Sequence, residues 1–259
     1  MGWIAIMTTE HSSADATTRR RVAEDHFVTT RWTAVLSAGR SDTPRSREAL
    51  AELCQTYWYP LYAYVRRRGH GSHDAEDLTQ GFFIHLLKLK SLAGVSPERG
   101  KFRAFLLASM KNYLHVEWDR ASAQKRDVRK TFSLDWAAAE TRYHQEPSEN
   151  TPPELVFDRQ WALTLLEGVI QHLRREYECS GRAAIFHELR HAITVGKDLI
   201  PPGDLAARLG MSEEAIRVAA HRLRKRYREM LRGAIAETVA HESEIDAEMD
   251  YLRRIITSS

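Results

Sequence analysis

Two stretches of this chain carry residues whose type and spacing can do chemistry. His187-Glu188-Leu189-Arg190-His191 fits the H-E-x-x-H pattern, in which two His one helical turn apart hold zinc and the Glu activates a water. Arg217, His221, Arg224, Lys225 and Arg228 fall at helical spacing, with Arg222 and Arg226 on the flanks, and give one helix a cationic side. Arginines so arranged can read guanine through paired hydrogen bonds in a major groove while their neighbours hold phosphates. The metal pattern is short, the chain holds 12 His, and no further His follows at the spacing of longer zinc-protease motifs. Phe186 and Leu189 can face a core while His187 and His191 face water. A coincidental match therefore ranks above a zinc hydrolase, and neither a catalytic residue nor a cofactor is expected.

The basic helix needs a second helix to aim it. Leu205-Ala206-Ala207-Arg208-Leu209-Gly210-Met211-Ser212 has the chemistry of a tight helix-turn-helix. It offers small residues where two helices touch, Gly for the turn, and Ser to cap the next helix. Ile216, Ala220, Leu223, Tyr227 and Leu231 supply an inner face opposite the cations. Turn and charge coincide in one segment, which favours groove binding over a merely solvated basic face. Glu213 and Glu214 suit the helix dipole but would sit near phosphate.

The net charge of +3 is small, yet the pI of about 8.9 conceals this uneven distribution. Cys54 and Cys179 are far apart and form no CxxC pair, which argues against a disulfide framework or a cysteine zinc site and fits a reducing cytosol. The apolar start from Trp3 to Met7 is too short for a signal-peptide core, and no stretch approaches a membrane span. A cytoplasmic protein without membrane association is expected.

Residues 1–26 are rich in Ser, Thr, Ala and Arg without periodicity and read as a disordered lead-in. Leu50, Leu53, Cys54, Tyr57, Leu61, Tyr64 and Val65 share one helix face, with Pro60 expected to kink the helix and Gly69 and Gly71 to end it. A second helix starts at Ser72 or Asp74 and carries Ala75, Leu78, Phe82, Leu86 and Leu89 on one side. Residues 94–100 read as a loop and 101–124 as a third, aromatic-rich helix. Periodicity fades over 131–153, where Pro147, Pro152 and Pro153 point to an extended linker. Helices resume at Glu154. Strand-like alternation is not found, so the fold expected is all-α: helical domains at 27–130 and 154–240, and a tail at 241–259. In that tail Ile245, Met249, Leu252 and Ile256 form an amphipathic stretch that can pack on the second domain or engage a partner.

Two motifs in series then suggest a family. Asp74-Ala75-Glu76-Asp77-Leu78-Thr79-Gln80-Gly81-Phe82-Phe83, followed by Arg99-Gly100-Lys101-Phe102-Arg103-Ala104-Phe105-Leu106, resembles region 2 of bacterial RNA polymerase sigma factors. Residues 204–231 resemble region 4, a helix-turn-helix (winged-helix-like) domain, and Ser133-Leu134-Asp135-Trp136 resembles the linker of a subgroup of the extracytoplasmic-function type. The resemblance spans roughly residues 27–239. It implies a sigma factor, not an enzyme, whose first domain binds core polymerase and opens the minus-10 element while the second reads the minus-35 element.

Position by position, the resemblance assigns Asp77 and Gln80, with Leu78 beneath them, to the beta-prime clamp of the polymerase. Gly81 stands where many relatives have Glu. The loop Val95 to Gly100 matches a recognition loop for an unstacked base. Lys101, Tyr113, Trp118, Arg120, Lys125 and Arg126 are assigned to DNA around the minus-10 element, with Arg129 and Lys130 extending the basic run. Phe102, Phe105, Tyr113 and Trp118 can each stack on a displaced strand, although packing in a core is the stronger reading for Phe102 and Phe105. Arg217, Val218, His221 and Arg222 fall at base-contacting positions, and Arg224, Lys225 and Arg226 nearer the phosphates. The implied partners are core polymerase through its beta-prime clamp and beta flap, promoter DNA, and, as a further option, an anti-sigma protein. A stand-alone helix-turn-helix regulator is the alternative; it explains the basic helix but leaves the first motif unused.

Overall fold

The computed structural model describes residues 44–88, 100–121, 135–144, 151–194 and 202–257. Ten α-helices are described: α1 (Pro44–Arg67), α2 (Ser72–Lys88), α3 (Phe102–Ala121), α4 (Trp136–His144), α5 (Pro153–Cys179), α6 (Ala183–Leu189), α7 (His191–Thr194), α8 (Pro202–Leu209), α9 (Glu213–Ala236) and α10 (Ile245–Thr257). Among the described residues no strand occurs, as the absence of strand-like alternation implied. No described helix is long and apolar enough to cross a membrane. The lead-in at 1–26, Leu89, residues 94–99, Ser133, Leu134 and the cations Lys125, Arg126, Arg129 and Lys130 lie outside the described residues, as do the side chains of Leu50, Trp118 and Arg120.

The chain divides into two compact units. One contains α1–α4 and α5 up to Thr164; the other contains α5 from Leu165, α6–α9 and α10. In the first unit most of each anticipated face is buried, Leu78 being only half-buried. Leu53, Cys54, Tyr57, Leu61, Tyr64 and Val65 of α1 join Ala75, Phe82 and Leu86 of α2 and Phe102, Leu106 and Met110 of α3. These are helical i, i+3, i+4 sets, so one stripe of each helix is removed from water and the rest stays polar. The Tyr57 and Phe102 rings meet edge to face at 5.7 Å across α1 and α3. Pro60 lies inside a helix assigned without a break from Pro44 to Arg67.

The stretch expected to be an extended linker is in part a helix. Asp135 Oδ1 accepts from the Ala138 backbone N–H at 3.0 Å, the N-cap bond that starts α4. Trp136-Ala137-Ala138-Ala139 then propagates the helix well, and all three prolines of the stretch fall after His144. Helix α4 packs on α1: the Trp136 ring lies 5.4 Å from that of Trp58 and 5.7 Å from that of Tyr62. Glu140 accepts hydrogen bonds from the Tyr62 hydroxyl and from Arg66 through Nε (3.0 Å) and a terminal nitrogen (2.7 Å), and pairs with His144 at 3.2 Å. Burial pushes the Glu140 carboxyl up, but the Tyr62 and Arg66 bonds and the Arg66 and His144 charges outweigh it and hold the group below its ordinary range.

Residues 153–164 of α5 belong to the first unit. There the buried Arg103 pairs with Asp158 at 3.3 Å and stacks 4.3 Å over the Trp161 ring, while Lys111 meets Glu154 at 2.8 Å. These partners come from helices far apart in sequence, which is why periodicity within one helix could not set the boundary.

In the second unit Leu166, Val169, Leu173 and Tyr177 of α5 form a core with Phe186, Leu189, Ile193, Leu205, Ile216, Leu223, Tyr227 and Leu231. Of the two options for the tail, packing is the one observed, on a face rotated from the expected one: Ile245 and Leu252 of α10 are buried, Met249 and Ile256 are half-buried, Ile255 is buried in their place, and Arg232 of α9 pairs with Asp246.

Candidate functional site

Helix α2 shows its two sides clearly. Ala75, Thr79, Phe82, Phe83 and Leu86 are buried, whereas Asp77 is exposed and Leu78, Gln80 and Gly81 are half-buried. At 100° per residue, Asp77 and Gly81 lie one turn apart on the outward side with Gln80 beside them. Leu78 is displaced toward one flank. The outward side thus pairs an acceptor-only carboxylate with an amide that can both donate and accept.

Gly81 admits a neighbour. A Cβ built at residue 81 would overlap the Tyr113 hydroxyl of α3, with the ring Cζ at 3.5 Å. The Tyr113 ring is packed against Phe82 at 5.7 Å, edge on, and against His85 at 5.4 Å. Of the aromatic residues considered for stacking, Phe102 is buried, Phe105 lies half-buried with its ring 5.8 Å from that of Phe102, and Tyr113 is half-buried. Lys101 precedes α3 and is half-buried.

Helices α8 and α9 are joined by Gly210-Met211-Ser212. Gly210 has φ +63°, a left-handed conformation in which a side chain is strained, and the Met211 N–H donates to the Ala206 carbonyl at 3.1 Å to close α8. Ser212 Oγ accepts from the Ala215 N–H at 3.2 Å, the cap anticipated for the second helix. The anticipated inner face of α9 turns inward, with Ile216, Leu223, Tyr227 and Leu231 buried.

The cations of α9 differ in their circumstances. Arg217 is exposed and pairs with Glu213 at 3.0 Å and Glu214 at 3.1 Å. Such surface pairs contribute little and exchange readily for another anion. Val218 is 40% exposed, one of two large apolar side chains so exposed among the described residues. His221, Arg222 and Lys225 are exposed as well, with Lys225 4.0 Å from Glu229. Arg226 behaves otherwise: its guanidinium grips Glu176 of α5 at 3.0 and 2.8 Å, a fork that holds it above its ordinary range and braces α9 on α5. Arg224 and Arg228 are half-buried one turn apart with no carboxylate partner among the described residues, and Arg228 Nε is buried without an acceptor. Burial, and then the Arg228 charge, lower the Arg224 pKa.

The metal-like pattern is put to another use. Glu188 accepts from Arg208 of α8 at 3.0 Å and lies 3.4 Å from His187 Nδ1, so the carboxylate that would activate water ties α6 to α8 instead. Among the described residues no three His, Cys, Asp or Glu side chains converge as a metal set. Sequence reasoning missed Arg103, Glu140 and Glu176. Each is an ordinary charged residue in its own helix and becomes distinctive only through a partner on another.

Comparison with known families bears on the first unit. Residues 53–123 match the family model of sigma-70 region 2. The match covers α1 from Leu53, all of α2 and all of α3, and includes Asp77, Gln80, Gly81 and Tyr113. It supports a sigma factor role in transcription initiation, a family whose members bind core polymerase and promoter DNA and are not enzymes. Less than half of the chain is matched, so the support attaches to that segment. No curated protein and no solved structure matches the chain.

Proposed function

We propose that this protein is a sigma factor of the extracytoplasmic-function type, working in the cytoplasm with core RNA polymerase and promoter DNA. The region 2 match over residues 53–123 carries the reading. In it, Asp77, Leu78 and Gln80 meet the beta-prime clamp, and Lys101, Trp118, Arg120, Lys125 and Arg126 hold DNA around the minus-10 element. The second unit acts as region 4, engaging the beta flap and the minus-35 element.

The capped turn between α8 and α9, with a basic side on α9, supports the second assignment. Arg217, His221 and Arg222 offer hydrogen bonds to base edges, and the exposed Val218 suits the methyl group of thymine. Lys225 and Arg224 hold phosphates, and Arg226 keeps α9 in place through Glu176. Each element is bound modestly; one polymerase carrying both units makes the second contact effectively intramolecular.

The deciding experiment mixes the full-length chain with purified core polymerase and follows co-elution and run-off transcription on a library of promoter fragments. Co-elution with promoter-specific transcripts is expected. Tight duplex binding without polymerase, and no transcripts with it, would instead identify a stand-alone regulator.

A further inference from the structure

We propose that the Tyr113 hydroxyl, delivered by α3 onto the outward side of α2 above Gly81, forms part of the surface through which this chain meets core RNA polymerase. The inference rests on the reading of Asp77 and Gln80 given above. Residue 81 lies one turn after Asp77 and next to Gln80, on the side of α2 opposite the buried Ala75, Thr79, Phe82 and Leu86. Glycine itself offers a partner nothing at this place. The phenol hydroxyl stands where a side chain from residue 81 would begin, and only the missing Cβ leaves it room.

The chemistry suits a protein surface. A phenol hydroxyl both donates and accepts, so it can answer a carboxylate, a guanidinium or a backbone group. Its ring is already held by Phe82 and by His85, so little side-chain freedom remains to be lost on binding. Tyrosine is also enriched where proteins meet, since it combines apolar area with a polar tip.

The test measures affinity of the full-length chain for purified core polymerase. Tyr113→Phe keeps the ring and removes the hydroxyl, and is expected to weaken binding roughly 2- to 10-fold, the range of one net hydrogen bond, with the melting temperature unchanged. Gly81→Ala, whose methyl displaces the hydroxyl, is expected to weaken binding similarly, and the double variant to add nothing further, as for two changes to one contact. Wild-type affinity in Tyr113→Phe, or losses that simply add, would overturn the inference. So would unchanged polymerase affinity with slower promoter opening, which would assign Tyr113 to DNA. If Asp77→Ala weakens polymerase binding and Tyr113→Phe does not, the inference fails alone; if the wild-type chain does not bind core polymerase, the sigma reading fails and this inference with it.

Discussion

Replacing Glu140 by Ala should release α4 from the first unit. The carboxylate takes three charge-assisted bonds, one from Tyr62 and two from Arg66. At about 1.5–3 kcal/mol apiece they would total about 4.5 kcal/mol or more. Two features reduce that sum. The Glu140 and Arg66 side chains are 25% and 16% exposed, so water partly replaces the lost contacts. Arg66 also keeps a 2.6 Å bond to the His70 carbonyl and its stack 4.7 Å over the Tyr143 ring. A loss of about 2 kcal/mol remains, which corresponds to roughly 30-fold faster amide exchange if α4 opens locally. Hydrogen exchange resolved over residues 136–144 measures this directly, and a double-mutant cycle with Tyr62→Phe should show non-additive losses. The pH dependence has a definite sign. The folded-state pKa of Glu140 is lowered, so its contribution is present above the unfolded value of about 4.3 and fades as pH falls through the folded value. Glu140→Gln should lack that acid-side loss. Unchanged α4 protection in Glu140→Ala, with the wild type equally insensitive to acid, would refute the reasoning.

Three further outcomes are expected. Ser212→Ala removes the cap of α9 and should lower stability by about 1 kcal/mol, read by urea unfolding. Arg217→Ala should relax base preference at one upstream promoter position by about 1–3 kcal/mol, whereas Asp77→Ala should weaken polymerase binding; equal loss of both functions in each variant would argue against the division of labour. Inorganic phosphate should raise the melting temperature of the wild type more than that of Arg224→Gln/Arg228→Gln, because two half-buried like charges gain from a shared anion.

Periodic features were readable along the chain. Helical spacing placed most of the buried faces of α1, α2 and α9, because an apolar stripe every three to four residues buries the same way whatever it packs against. The turn at Gly210 and the cap at Ser212 were readable for a related reason: a left-handed backbone and a free N–H are met by residues immediately next to them. The metal-like pattern at 187–191 was legible as a weak signal, but its actual use, Glu188 on Arg208, involves a residue twenty positions further along.

The one-dimensional sequence therefore determined the helical fold, the cationic side of α9 and the resemblance of α2 to a known motif. Tertiary structure alone decided that 136–144 is a helix seated on α1, that α5 contributes to both units, and that the tail belongs to a core. It also decided which charges are committed, Arg226 to Glu176 and Arg103 to Asp158, and which side chain stands above Gly81. The reason is common to all of these. A helix face follows from neighbours along the chain, whereas an ion pair, a capped linker helix docked on another, or the space left by a missing Cβ depends on groups that only folding brings together.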